Sequence, residues 1–202
     1  AQLEHLGKVT PEFREQSGIF RIAQLPNCLD FPRENLPKHF FYTTPWHKPK
    51  RDHNVTFPFD KLDGRPLVYA SLGTVQNGVE QLYQKVIEAC QGLDNVQLVV
   101  ALGRRGATLD CPIPEGTIVV DFAPQLQLLE RASALVTHAG QNTALEGLSY
   151  GLPMVAIPIA NDQPGVAARL AYAGAARLIQ PHQATAVTLR KALQLILTDD
   201  PN

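Results

Sequence analysis

The chain lacks most of the short signatures that fix a biochemical class. Its 202 residues hold three cysteines, Cys28, Cys90 and Cys111, too scattered for a CxxC metal site or a disulfide framework, so they read as reduced thiols. There is no GxG, hence no GxGxxG dinucleotide turn, and no GxxxxGK[ST] phosphate loop. Asp-x-Asp is missing, as is any His/Cys cluster with ligand spacing, so neither metal nor cofactor is expected. No apolar run nears the roughly 18 residues of a membrane span, and the first residues do not read as a signal peptide. A cytoplasmic location is expected. Charge of either sign is scarce too: 18 basic against 19 acidic residues give a net charge of −1, which argues against a nucleic-acid partner held by bulk electrostatics.

What the chain does have is apolar residues, 45% of the total, enough for one good core and hardly for two full domains. From Pro66 onward they fall in a regular alternation. LVYAS (67 to 71), VQLVVAL (96 to 102), TIVVDF (117 to 122), the run ALVT from Ala134, MVAIP (154 to 158) and ARLI (176 to 179) read as strands. Helices are expected over Val79 to Cys90, 125 to 131, Thr143 to Tyr150 and 163 to 173, with a closing helix carrying Leu189, Leu193 and Ile196. Six strands alternating with helices predict an α/β fold with a doubly wound, Rossmann-like parallel sheet. Upstream, Pro26, Pro32, Pro37 and Pro45 break the chain into loops, and HKPKRDHN (47 to 54) opens a linker expected to reach about Arg65. The chain starts AQLEHLGK, without methionine, and ends TDDPN, so it is expected to be a piece of something longer.

The informative stretch is Phe122 to Gln163. A buried strand ends in His138, Ala139 and Gly140; Asn142 and Thr143 then favour a helix start, and Gly151 and Pro153 stop that helix. Strand, glycine turn and helix together put backbone N–H groups and a positive helix end at the carboxyl edge of a parallel sheet, where phosphates bind. The dipole contributes only about 0.3 to 1 kcal/mol, so His138, Asn142 and Thr143 must add hydrogen bonds of their own. Glu146, one turn beyond Thr143, is expected at the same mouth, where a carboxylate suits a ribose diol. For Asp162 a helix N-cap is the plain reading, and a capping loop is also well placed to meet a sugar. Gly147 to Gly151 spells GxSxG, but a nucleophile elbow needs a strand before its serine; here a helix precedes Ser149 and a strand follows.

HAGQNTALEGLSYGLPMVAIPIANDQ, preceded by DFAPQLQLLERA, resembles the donor-binding signature of family 1 nucleotide-sugar glycosyltransferases of two-domain, GT-B architecture. VYASLGTVQNG upstream and DQPGVAARLAYAG downstream resemble the bacterial macrolide-type branch and, within it, the carotenoid glucosyltransferases. The likeness is strongest from Pro66 to Gly174. It implies that Gln125 bonds the uracil while Phe122 and the Ala123 backbone line the base. It assigns the diphosphate to His138, Gly140, Asn142 and Thr143, the ribose to Glu146, and the sugar hydroxyls to Asp162 and Gln163. Ser71, Gly73 and Thr74 match a loop facing the donor from another strand. Two departures from plant members stand out: Phe122 and Gln141 replace tryptophans.

The resemblance further implies that residues 1–46 are a remnant of the N-terminal acceptor domain, 47–65 the interdomain linker and 66–202 the donor-binding domain. It implies an inverting, metal-independent transfer of a hexose, glucose above all, from a UDP-sugar to a small hydrophobic acceptor such as a carotenoid, met at a membrane periphery. The catalytic base of the family lies in the acceptor domain, so no catalytic residue is assigned here. A GT-B nucleotide-sugar epimerase and a non-catalytic nucleotide-sugar-binding module are the alternatives.

Overall fold

The computed structural model describes residues 20–44, 55–73 and 79–198. Thr74 and the linker stretch 47–54 lie outside them. The chain divides into two compact units, 1–46 and 47–202.

In the first unit, strands β1 (Arg21–Ala23) and β2 (Phe40–Tyr42) pair in parallel. Asp30 is buried beside them, where it accepts a hydrogen bond from Tyr42 Oη at 2.8 Å and pairs with Arg33 at 2.8 Å. Phe20, Ile22 and Phe41 stay exposed.

The second unit is one six-stranded parallel sheet. Its strands are β3 (Leu67–Ser71), β4 (Gln97–Ala101), β5 (Ile118–Val120), β6 (Ala134–Thr137), β7 (Met154–Ala156) and β8 (Ala176–Leu178), in the order β5-β4-β3-β6-β7-β8. This is the doubly wound order, reversing direction between β3 and β6, where the loops diverge and leave a crevice at the carboxyl edge. Strands β3, β4, β6 and β7 are buried throughout, as a sheet covered on both faces requires, while β8 at the edge is partly exposed. Among the described residues five α-helices follow the strands: α1 (Glu80–Gln91), α2 (Gln125–Leu129), α3 (Gln141–Ser149), α4 (Gln163–Tyr172) and α5 (Ala186–Thr198). The expected alternation is met in every element. Among the described residues no helix is long and apolar enough to cross a membrane.

Period-two alternation sends Val68, Ala70, Val100 and Val136 to one face, where they pack with Val86 and Ile87 of α1 and Leu189 and Leu193 of α5. The opposite face carries Leu135 and Met154, against which α3 lies so close that a Cβ on Gly147 would sit 2.8 Å from Leu135. Ser149, from the GxSxG decoy, bonds back to the Leu145 carbonyl at 2.8 Å within α3.

Residues 57–65, the later part of the expected linker, are tied to this unit. Buried Gln97 accepts from the Asp63 N–H at 3.0 Å and donates to the Lys61 carbonyl at 2.8 Å and the Gly116 carbonyl at 3.1 Å. Phe57 is buried as well.

Tyr83 of α1 fixes the strand ends that matter for function. Its hydroxyl accepts from the Leu72 N–H at 2.9 Å and donates to the Ala101 carbonyl at 2.8 Å, which joins the ends of β3 and β4. Burial pushes its pKa up to about 12, so it stays a neutral donor. Tyr83→Phe leaves two buried polar groups without partners and is expected to cost about 1 to 3 kcal/mol, read as a lower urea midpoint at unchanged slope.

Candidate functional site

The crevice between the β3 and β6 loops is a cleft of about 400 Å³. Several strand-end loops feed it. Ser71 and Gly73 enter after β3; Phe122, Ala123 and Gln125 after β5; and Asn161, Asp162 and Gln163 after β7. His138, Gly140, Asn142 and Thr143 form the fourth wall, after β6. Every expected site residue therefore lines one cavity except Thr74, which is not described, and Glu146.

His138 is held by shape. Gly73 has a φ of +86°, open to glycine and costly to other residues, and a Cβ there would stand 2.7 Å from His138 Nε2. Gly140 has an ordinary φ of −60°, so backbone strain does not demand glycine; the imidazole does, because a methyl on Gly140 would overlap the ring. Nδ1 is buried and has no hydrogen-bond partner. Burial lowers the pKa of His138 below the usual histidine value, opposed by the Ser71 backbone and then by the Asp162 carboxylate.

The helix start differs from the expected one. Asn142 and Thr143 do not begin α3; the helix starts at Gln141 with Gly140 as N-cap and no side-chain cap. The cause lies one residue earlier, where Ala139 adopts a left-handed φ of +62° and gives its N–H to Thr137 Oγ1 at 3.1 Å. The first helical hydrogen bond is from the Ala144 N–H to the Gly140 carbonyl, 3.0 Å. The N–H groups of Asn142 and Thr143 precede it and have no helical acceptor, so they give the cleft its positive end. A non-glycine left-handed residue costs about 1 to 3 kcal/mol and recurs at functional loops. Asn161, φ +56°, is a second such residue on the same cleft.

On the β7 side, Asp162 sits at the N-cap position of α4 without a side-chain capping bond, and its side chain is exposed to the cleft. Gln163 is buried, and its Oε1 accepts from the Ile159 and Ala160 N–H groups, both at 2.8 Å. Only its NH2 remains to meet a ligand. On the β5 side Phe122 is 39% exposed, a free aromatic face at the cleft wall. Gln125 Nε2 donates to Glu146 Oε2 and reaches Thr143 Oγ1 at 3.4 Å. Glu146 is only 2% exposed and lies behind that wall.

Tyr69, Ala101, Gly103, Gln141 and Asn161 also line the cleft, although the sequence motifs did not assign them. Tyr69 and Ala101 sit inside strands that read as core. Asn161 could have been suspected, since asparagine tolerates the left-handed region better than most residues.

The chain is 35% identical over 160 residues to zeaxanthin glucosyltransferase of Pantoea ananas, covering 78% of this chain and 37% of that one. It is 37% identical over 136 residues to oleandomycin glycosyltransferase of Streptomyces antibioticus, with 67% and 31% covered. The solved structure of the kitacinnamycin glycotransferase superposes with a TM-score of 0.76 at 29% identity, covering 90% of this chain and 47% of the other. The chain thus spans less than half the length of each. The family model described as "UDP-glucoronosyl and UDP-glucosyl transferase" matches residues 14–201, and the chain belongs to that family.

Proposed function

We propose that this chain is the donor-binding half of an inverting, metal-independent glycosyltransferase that moves a hexose, glucose by preference, from a UDP-sugar to a hydroxyl of a small hydrophobic acceptor such as a carotenoid. One observation carries the reading. The cleft walls run, in sheet order, from an exposed aromatic ring with an amide, through a histidine and a helix N-terminus, to an exposed acid with an amide NH2. A nucleotide sugar has the same order of parts: a flat base, a dianionic diphosphate and a polyhydroxylated ring. Phe122 stacks the base, His138 with the Asn142 and Thr143 N–H groups takes the diphosphate, and Asp162 and Gln163 take the sugar hydroxyls. The carotenoid class and the UDP donor are supported by the likeness to a zeaxanthin glucosyltransferase and by the family.

In this mechanism the departing diphosphate gains negative charge as the bond to the anomeric carbon breaks. Donors already aimed at that charge lower the barrier without reorganising. The acceptor hydroxyl attacks from the opposite face, which inverts the anomeric centre, and loses its proton to a base on the acceptor domain. Residues 1–46 are then the end of that domain and 47–65 the linker, with 66–202 the donor domain.

Two outcomes follow. Calorimetry with the 202-residue chain should give a UDP-glucose Kd raised about 10- to 100-fold by His138→Ala, the loss of one charge-assisted hydrogen bond. Asp162→Ala should weaken UDP-glucose and leave UDP unchanged. Equal binding by the wild type and His138→Ala would sink the assignment.

The second outcome concerns pH. His138 has a lowered pKa in the free protein, and a neighbouring diphosphate raises it. Between the two values binding takes up a proton, so affinity for UDP-glucose should rise as pH falls from 8 to 5, about tenfold for each unit separating them. In the free protein the same depression lowers stability as pH drops below the usual histidine value, because the unfolded chain protonates first. His138→Gln should flatten the affinity profile. Binding enthalpies in buffers of different ionisation heat read the proton uptake directly.

A further inference from the structure

Strand β6 ends on Thr137, which the sheet holds from both sides. It stands in register with Ser71 of β3 and Ala156 of β7, and its carbonyl accepts the Ile157 N–H at 2.8 Å. Two residues on, Ala139 takes a φ of +62°, a region open to glycine and costly to any residue with a Cβ. A hydrogen bond spans this bend: the Ala139 N–H donates to Thr137 Oγ1 at 3.1 Å. Both residues are fully buried, so without Oγ1 the turn as it stands would leave an N–H cut off from water and unpaired. The residues next to the bend line the cleft, His138 within it and Gly140, Asn142 and Thr143 directly after it.

We propose that Thr137 is a positioning residue for the donor's diphosphate: through the Ala139 N–H its hydroxyl holds the left-handed turn that sets the His138 ring and the first N–H groups of α3 at the cleft. This rests on the nucleotide-sugar reading above, and it gives Thr137 no contact with the donor itself. Valine in its place keeps the shape and removes the acceptor. The turn then relaxes toward the backbone angles alanine prefers, and His138 and the helix start lose their setting. Phe122 and Gln125, which take the base, come from the loop after β5, with β4 and β3 between that strand and β6. The loss should therefore fall on the diphosphate and spare the nucleoside.

The test compares UDP with uridine by NMR titration on the wild type, Thr137→Val, Thr137→Ser and Thr137→Val with Ala139→Gly, each checked for a cooperative melt. Thr137→Val should weaken UDP about tenfold and uridine less than about twofold, so the UDP/uridine preference falls. Thr137→Ser restores the acceptor, and Ala139→Gly removes the need for it, since glycine takes the left-handed region without steric cost. Each should bring the preference back to within about threefold of the wild type. A merely structural role for Thr137 would weaken both ligands alike. Thr137→Ala takes the place of the valine variant if that one does not fold. An unchanged UDP/uridine preference, an equal loss of both ligands, or a loss that neither serine nor the added glycine repairs overturns the inference. A folded wild type that binds no UDP overturns the nucleotide reading itself, and this with it.

Discussion

The site depends on one packing constraint, the His138 imidazole set between Gly73 and Gly140 at the point where the sheet reverses its winding. Neither glycine can carry a side chain while the ring stays where it is. The two glycines come from loops after adjacent strands, β3 and β6, so the ring also locks the relative position of those loops. Its burial is bearable because the ring is neutral in the free protein.

From that lock the other features follow in turn. Next to the ring, Ala139 takes the left-handed region and Gly140 the N-cap position, and α3 starts with its first backbone N–H groups unpaired within the helix. Tyr83 braces the floor from the other face of the sheet by joining the ends of β3 and β4. On the β7 side, Gln163 shapes its own loop through two backbone N–H groups, which leaves Asp162 uncapped and exposed. Rigid strands thus carry strained loops, an arrangement that favours preorganised electrostatics over motion.

Much of this was legible in the sequence, for physical reasons. Fully buried parallel strands show as short continuous apolar runs, and LVYAS and ALVT could hardly be anything else between turn residues. His138 next to a glycine and a helix start marked the loop that forms one wall of the cleft. The start of α3 was misjudged because asparagine and threonine favour helix starts in isolation, whereas the left-handed turn at Ala139, whose N–H goes to Thr137 Oγ1, sets Gly140 as the N-cap. The pairing of Gln125 with Glu146 was hidden for a related reason. Twenty-one residues separate them, and only the packing of α2 against α3 brings them together. Tyr69 was invisible as a site residue since periodicity gives the face of a strand and not its distance from the carboxyl edge.

The central claim is that the order of loops along the carboxyl edge sets the direction in which a nucleotide sugar lies. A crystal structure of the chain with UDP-glucose bound tests this most directly. The base is expected against Phe122 and Gln125, the diphosphate within hydrogen-bond distance of His138 and the Asn142 and Thr143 N–H groups, and the hexose toward Asp162. A nucleotide lying in the reverse direction, or bound away from the β3/β6 crevice, would contradict it.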